Sequence, residues 1–253
     1  EAQSIWKTDS DQKMAPEDRY LVDGWGELAA RYGHQYWDIG GYRDSYPQVI
    51  TSKYPITYID KIVGDESDVI VSHGAGWATI DVNGKTVNIV TLHTWPQAYA
   101  YKAEDRNASR AENGGDKYRA REIKYICEHT IGTVANASEQ LWMMMGDFNS
   151  RSRLDNDQYG YAEDDTRLLV HNYVLDNTPY IDVIKSKYPE QFIPSVGAKN
   201  SRIDFVYCTK PLYDRVIAAD IIWDDYTTPV RDTLSNFWRP SDHLPILVDF
   251  DMR

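Results

Sequence analysis

Four short stretches of this sequence carry side chains able to move a proton, hold a cation or grip an anion: TLHTW (91–95), GDFNS (146–150), SRIDFVY (201–207) and SDHLP (241–245). In GDFNS, Asp147 and Asn149 lie two apart, so on an extended backbone both side chains project to one face. The same letters also favour an ordinary turn after a strand. In SRIDFVY, Asp204 sits inside an apolar run between Ile203 and Phe205, on one face with Arg202 and Val206. A carboxylate there either faces outward, as at a sheet edge, or is buried and needs a partner. In SDHLP, the neighbours Asp242 and His243 point in different directions and must find different partners. An imidazole near a carboxylate is an acid or base tunable around neutral pH, and an open carboxylate is a hard-oxygen ligand suited to Mg²⁺. His93 ends an apolar run just before Thr94 and Trp95 and, taken alone, reads as structural. The remaining histidines, His34, His73, His129 and His171, have no motif around them and read as surface or core.

Strands and helices must deliver these groups. WATIDV (77–82), Asn83-Gly84 and KTVNIVTLH (85–93) read as a hairpin with a type I′ turn whose longer return strand ends at His93. LWMMMG (141–146) reads as a strand buried on both faces that releases Asp147 and Asn149 at its end. Strands are also expected at 46–56, stopping at Pro55, and at 203–208, 216–222 and 244–250. Residues 24–32 read as a helix stopped at Gly33. Ile123, Ile126, Cys127, Ile131 and Val134 form one apolar helical stripe. Segment 166–175 reads as helix, and 180–188 as a second short one. Residues 97–117 and 151–165 read as polar loops, and 223–243 as a long loop with exposed aromatics, a length usually tied to function. Hairpins mixed with helices fit neither a regular βαβ series nor a barrel. They predict two packed, mostly antiparallel sheets with helices outside.

The 253 residues suffice for one substantial core, and no apolar run approaches the roughly 18 residues of a membrane span. Against 27 Lys and Arg stand 39 Asp and Glu, a net charge of −12, which leans against long nucleic acid as substrate. A bound cation and a few local arginines can still reverse the sign of one cleft. Cys127 and Cys208, the only two cysteines, read as buried thiols. The aromatic-rich, acidic composition, with 19 Tyr and 8 Trp, suggests secretion or the periplasm by association only.

Jointly, the order, spacing and strand-end placement of the four segments resemble the endonuclease/exonuclease/phosphatase superfamily, from about residue 45 to the C-terminus. GDFNS and SDHLP are close to its signature, and SRIDFVY matches its intervening Asp strand. The resemblance implies an α+β fold of the deoxyribonuclease-I type, a four-layer α/β/β/α sandwich forming one domain over residues 1–253. It implies hydrolysis of a phosphate ester by in-line attack of an activated water with Mg²⁺, or Mn²⁺ in its place. Asp147 would orient or deprotonate the water, and Asn149 would hold it or a phosphate oxygen. His243 would contact the scissile phosphate with its ring paired to Asp204, which fixes the tautomer. His93 would stabilise the phosphate or assist the leaving group, and Asp242 would ligate the metal. The family begins with an Asn strand, a helix and a second strand ending in a metal-binding Glu. That first strand is absent here, so Glu1 is either that Glu or an arbitrary first residue. On this reading the extreme N-terminus of the domain is missing, and residues 1–253 alone are expected to be unstable or inactive. Soluble, cooperative unfolding with full activity would refute that.

The expected substrate is small or lipid-like, with Trp95, Tyr226 and Trp238 available to stack on it and Arg119, Arg121 and Arg239 to contact phosphate. A Mg²⁺-dependent nuclease acting on DNA or RNA, and an inactive binding domain that keeps the fold, are the alternatives. A monomer is expected.

Overall fold

The predicted hairpin anchors the sheet. In the computed structural model, which describes residues 25–39, 48–223 and 241–253, strand β4 (Ile70–Val82) turns through Asn83-Gly84 into β5 (Lys85–His93). Both turn residues have positive φ, 55° and 75°, as a type I′ turn requires. The remaining strands are β1 (Tyr36–Ile39), β2 (Val49–Ser52), β3 (Ile56–Gly64), β6 (Leu141–Asp147), β7 (Tyr180–Asp182), β8 (Asp204–Thr209), β9 (Val216–Ile221) and β10 (Ile246–Phe250). Six of them form a mixed sheet in the order β3-β4-β5-β6-β8-β7, and β1-β2 and β9-β10 pair as two antiparallel ribbons. Among the described residues, only β5 and β6 run parallel. That pairing needs a crossover, which helix α3 (Gly114–Glu128) supplies; α1 is Trp25–Arg31 and α2 is Arg106–Ala111.

Alternation along the central strands sorts their side chains into two cores. Val90, Leu92, Trp142, Met144, Phe205 and Tyr207 pack against Ile123 and Ile126 of α3 and Val170 and Val174 of α5; α4 is Asn156–Tyr159 and α5 is Leu169–Asn177. On the opposite face, Val87, Ile89, Val206 and Cys208, with Met143 and Met145, meet Ala219 and Ile221 of β9 and Leu244. The LWMMM run is thus covered on both faces, as expected. The molecule is α+β, with helices against one face of a mixed sheet and antiparallel strands against the other. Cys127 and Cys208 are free, buried thiols, and burial pushes Cys127 up to about 12.

Several local expectations fail for identifiable reasons. Residues 97–117 are not a loop throughout. Asp105 caps α2 by accepting from Asn107 N and Ala108 N, and α3 begins at Gly114. Gly114 and Gly115, inside the expected loop, form the first turn of this helix, where a Cβ on Gly115 would lie 2.0 Å from Gln97 O. The 151–165 segment contains α4. Segment 180–188 starts as β7 before α6 (Val183–Lys187); α7 is Lys210–Tyr213. Strand β3 and the first half of β4 are not among the expected strands; in the latter, IVSHGAG, glycines and small residues interrupt the alternation. Asp204 is not on an edge strand, because β8 lies between β6 and β7. However, β7 pairs only with residues 207–209, so Asp204 lies beyond its end. Most of the 223–243 loop lies outside the described residues. Among those described, no helix is long and apolar enough to cross a membrane.

Candidate active site

Strand register brings the predicted groups together. His93 is the register partner of Asp147, and Asp147 is the partner of Asp204, so the three occupy one row across β5, β6 and β8. Neighbouring strands lie roughly 4.8 Å apart. Each of the three also shares parity with the residues facing β9, so all three side chains project to the same side of the sheet. Gly146 lets the strands approach here. Its φ is 146°, and a Cβ would lie 1.9 Å from Leu92 O.

Beyond the row, the chain is tied down by hydrogen bonds. Thr94 N donates to Asp147 O and Thr94 Oγ1 to Phe148 O. Asn149, with a left-handed φ of 46°, donates from its backbone N to Asp147 Oδ1 at 2.7 Å. Its side-chain Nδ2 donates to Asp147 Oδ2 and to Thr94 O. Asparagine tolerates this backbone conformation better than most residues.

His243 enters from the segment before β10. Its Nδ1 lies 2.9 Å from Asp204 Oδ2 and 3.0 Å from Oδ1, and its backbone N donates to Ser241 Oγ. A carboxylate on Nδ1 favours the tautomer with the proton there and makes Nε2 the basic nitrogen. One potential ligand atom from each of Asp147, Asp204 and His243 lies within 4.8 Å of the others. Two carboxylates converging with an imidazole suit a divalent cation, the oxygens fitting Mg²⁺ or Mn²⁺. Asp242 is exposed and stands outside that trio, although it is the chain neighbour of His243.

His93 and Asp147 are only 4% and 3% exposed, and His93 Nε2 lies 3.7 Å from Asp147 Oδ2. Burial, with the neighbouring His73, pushes His93 down to about 2 and keeps it neutral. His73 stacks on His93 with ring centroids 4.3 Å apart and also approaches Trp95. It is a core histidine, but one joined to the site. Behind this strap, buried Glu122 accepts from Ser72 N, Ser72 Oγ and Trp95 N. Burial pushes Glu122 up to about 7 against the pull of those donors. Ser195 joins the site by donating from Oγ to Asp204 Oδ2 at 2.6 Å. No motif marks His73, Ser195 or Glu122 in the sequence. Each belongs to the site through contacts distant in the chain.

The expected phosphate-contact arginines fare differently. Arg119 is buried and committed to Trp95 O, Gln97 O and Asp116, so it serves the scaffold. Arg121 donates to Asp68 O on the outer side of α3. Trp95 is half-buried and donates to Tyr99 O. Glu1, Tyr226, Trp238 and Arg239 lie outside the described residues.

No protein-family model matches the sequence, and no curated protein matches it. Solved structures do match the fold. An AP endonuclease from Archaeoglobus fulgidus aligns with 93% of this chain and 85% of its own, at 16% identity and a TM-score of 0.61. The 3′ phosphatase NExo from Neisseria, bound to a product DNA hairpin, aligns with 94% of this chain and 86% of its own, at 17% identity and 0.56. TDP2 from D. rerio, complexed with a single-strand DNA product, covers 92% of this chain and 83% of its own, at 11% identity and 0.55. The chain therefore shares the fold of these enzymes, the deoxyribonuclease-I-like α+β fold that the sequence resemblance implied.

Proposed function

We propose that this chain is a metal-dependent phosphoesterase that hydrolyses a phosphate ester by in-line attack of water. The observation that carries the reading is the convergence of Asp147, Asp204 and His243 within 4.8 Å, beside buried His93. In this reading Asp147 takes the proton of the attacking water or orients it. Asn149 spends its amide N–H groups on Asp147 and Thr94, and presents its carbonyl oxygen to the water. His243, aligned through Nδ1 by Asp204, addresses the scissile phosphate with Nε2. Neutral His93 donates a hydrogen bond to a phosphate oxygen or to the leaving group. Asp242 and Glu1 are the proposed holders of Mg²⁺ or Mn²⁺, while the Asp147–Asp204–His243 cluster, which could itself accept a cation, is assigned the catalytic roles. When bound, such a cation neutralises charge growing on the phosphate oxygens.

Net charge of −12 favours a small or lipid-like phosphoester. The DNA products seen with NExo and TDP2 lean the other way and support a nuclease as the second reading. A panel decides between them: a nucleotide, plasmid DNA, single-stranded DNA, a phosphoinositide, sphingomyelin and bis-p-nitrophenyl phosphate. Each is assayed with the protein at its full natural length, with Mg²⁺ and then with EDTA. Metal-dependent turnover of any substrate, lost in His243→Ala, supports the reading and names the substrate class. Absence of turnover across the panel, with folded protein that binds no divalent cation, would replace it with an inactive binding domain.

A further inference from the structure

We infer that Ser195 is a positioning residue that locks the Asp204–His243 pair, making a Ser-Asp-His relay in which the serine is not a nucleophile. Ser195 is fully buried. Its Oγ accepts from Ile203 N at 3.1 Å and Asp204 N at 3.0 Å, and lies 2.6 Å from Asp204 Oδ2. A hydroxyl has two lone pairs and one proton. The two backbone donors occupy the lone pairs, so the proton can only be given to Asp204 Oδ2. That same oxygen faces His243 Nδ1 at 2.9 Å.

The backbone of Ser195 closes the arrangement from the other side. Its carbonyl accepts from Leu244 N at 2.7 Å, and its own N–H donates to Ser201 O. One residue therefore grips the carboxylate through its side chain and the histidine's segment through its main chain. Asp204 lies past the end of β7 and lacks a strand neighbour on that side, so register alone does not fix its carboxylate. Serine supplies the missing constraint. It holds one carboxylate rotamer while leaving the second oxygen to share His243. The competing explanation is that Ser195 merely pins the 196–201 loop.

The kinetic arm of the test rests on the phosphoesterase reading, whereas the spectroscopic arm does not. Ser195→Ala and Ser195→Thr are compared with the native protein, after near-UV circular dichroism shows native packing. In proton NMR of histidine-labelled protein, the native chain should show a downfield Nδ1–H resonance, assigned to His243 by its loss in His243→Gln. It should persist in Ser195→Thr and weaken or vanish in Ser195→Ala. Hydrolysis of bis-p-nitrophenyl phosphate should fall in Ser195→Ala by about tenfold to a hundredfold in kcat with little change in KM, and recover in Ser195→Thr. If Thr does not pack natively, Ser195→Cys replaces it; its weaker donor should give intermediate values of resonance and rate. A native resonance in folded Ser195→Ala would overturn the inference, as would a folded Thr variant no better than Ala. If no form hydrolyses anything, the function is wrong, and the resonance alone still decides the role of Ser195.

Discussion

The two walls of the candidate site are built by different means. On one wall, the register of three hydrogen-bonded strands sets the backbones of His93, Asp147 and Asp204, and the first two residues are almost wholly buried. On the other, Asp242 and His243 come from an irregular segment, more open to solvent, and His243 is aimed by its bond to one carboxylate. Register positions a group through many shared backbone bonds. A few separate hydrogen bonds position it through fewer contacts, each worth about 1.5–3 kcal/mol when the partner is charged. The first wall should therefore fail only when the sheet fails. The second should loosen by degrees.

The largest effect is expected from undermining the first wall at Arg202. This side chain is 1% exposed, donates Nε to Asp155 and pairs its two terminal nitrogens with Asp182 at 2.9 and 2.7 Å. Arg202→Ala strands two buried carboxylates and should cost about 3–5 kcal/mol, read by chemical denaturation. Next comes Gly146→Ala. A methyl driven toward Leu92 O should cost about 3 kcal/mol and separate His93 from Asp147, so stability and hydrolysis fall together. A stable, fully active Gly146→Ala protein would mean the row does not depend on that close approach.

How much of this was legible in the sequence differs by wall in the same way. The hairpin, the doubly buried β6 and the polar groups at strand ends follow from alternation and turn chemistry, both local signals. The alignment of His93 with Asp147 and Asp204 does not. It needs the parallel β5–β6 pairing, which no local pattern encodes. Gly146 shows why: in the sequence it reads as a turn former, and only the approach of Leu92 gives it a packing role. Arg119 failed as a phosphate contact for the converse reason, since two of its three partners are carbonyls more than twenty residues away. His171 read as surface or core and is core, packed on Phe205 with its Nδ1 2.8 Å from Tyr207 Oη.

A smaller effect should appear with pH. Burial, and then the charge of Arg202, pushes His171 down to about 3 from an ordinary 6.5. The folded chain thus keeps His171 neutral while the unfolded chain protonates it. Stability from this group is full above about pH 6.5 and is lost as pH falls toward 3. His93, down to about 2, acts in the same direction. Glu122, raised to about 7, acts oppositely between pH 4.5 and 7, because the folded chain holds its proton more tightly. Two histidines against one carboxyl leave stability decreasing from pH 6.5 to 4.5. Unfolding curves of His171→Gln should show a shallower decrease, and an unchanged slope would remove His171 from the explanation. The smallest effect belongs to the outer surface. Arg153→Ala, which breaks an exposed bridge to Asp176, should change stability by less than about 1 kcal/mol.

The most direct test of the central claim is the rate of bis-p-nitrophenyl phosphate hydrolysis against Mg²⁺ concentration, for the full-length protein and for Asp147→Ala. A hydrolytic centre built on the strand row predicts a saturable rise with Mg²⁺, abolished by EDTA and restored by added metal. It also predicts a loss of about a hundredfold or more in Asp147→Ala, the scale of a missing general base. Equal rates for the two proteins, or a native rate indifferent to EDTA, would contradict it.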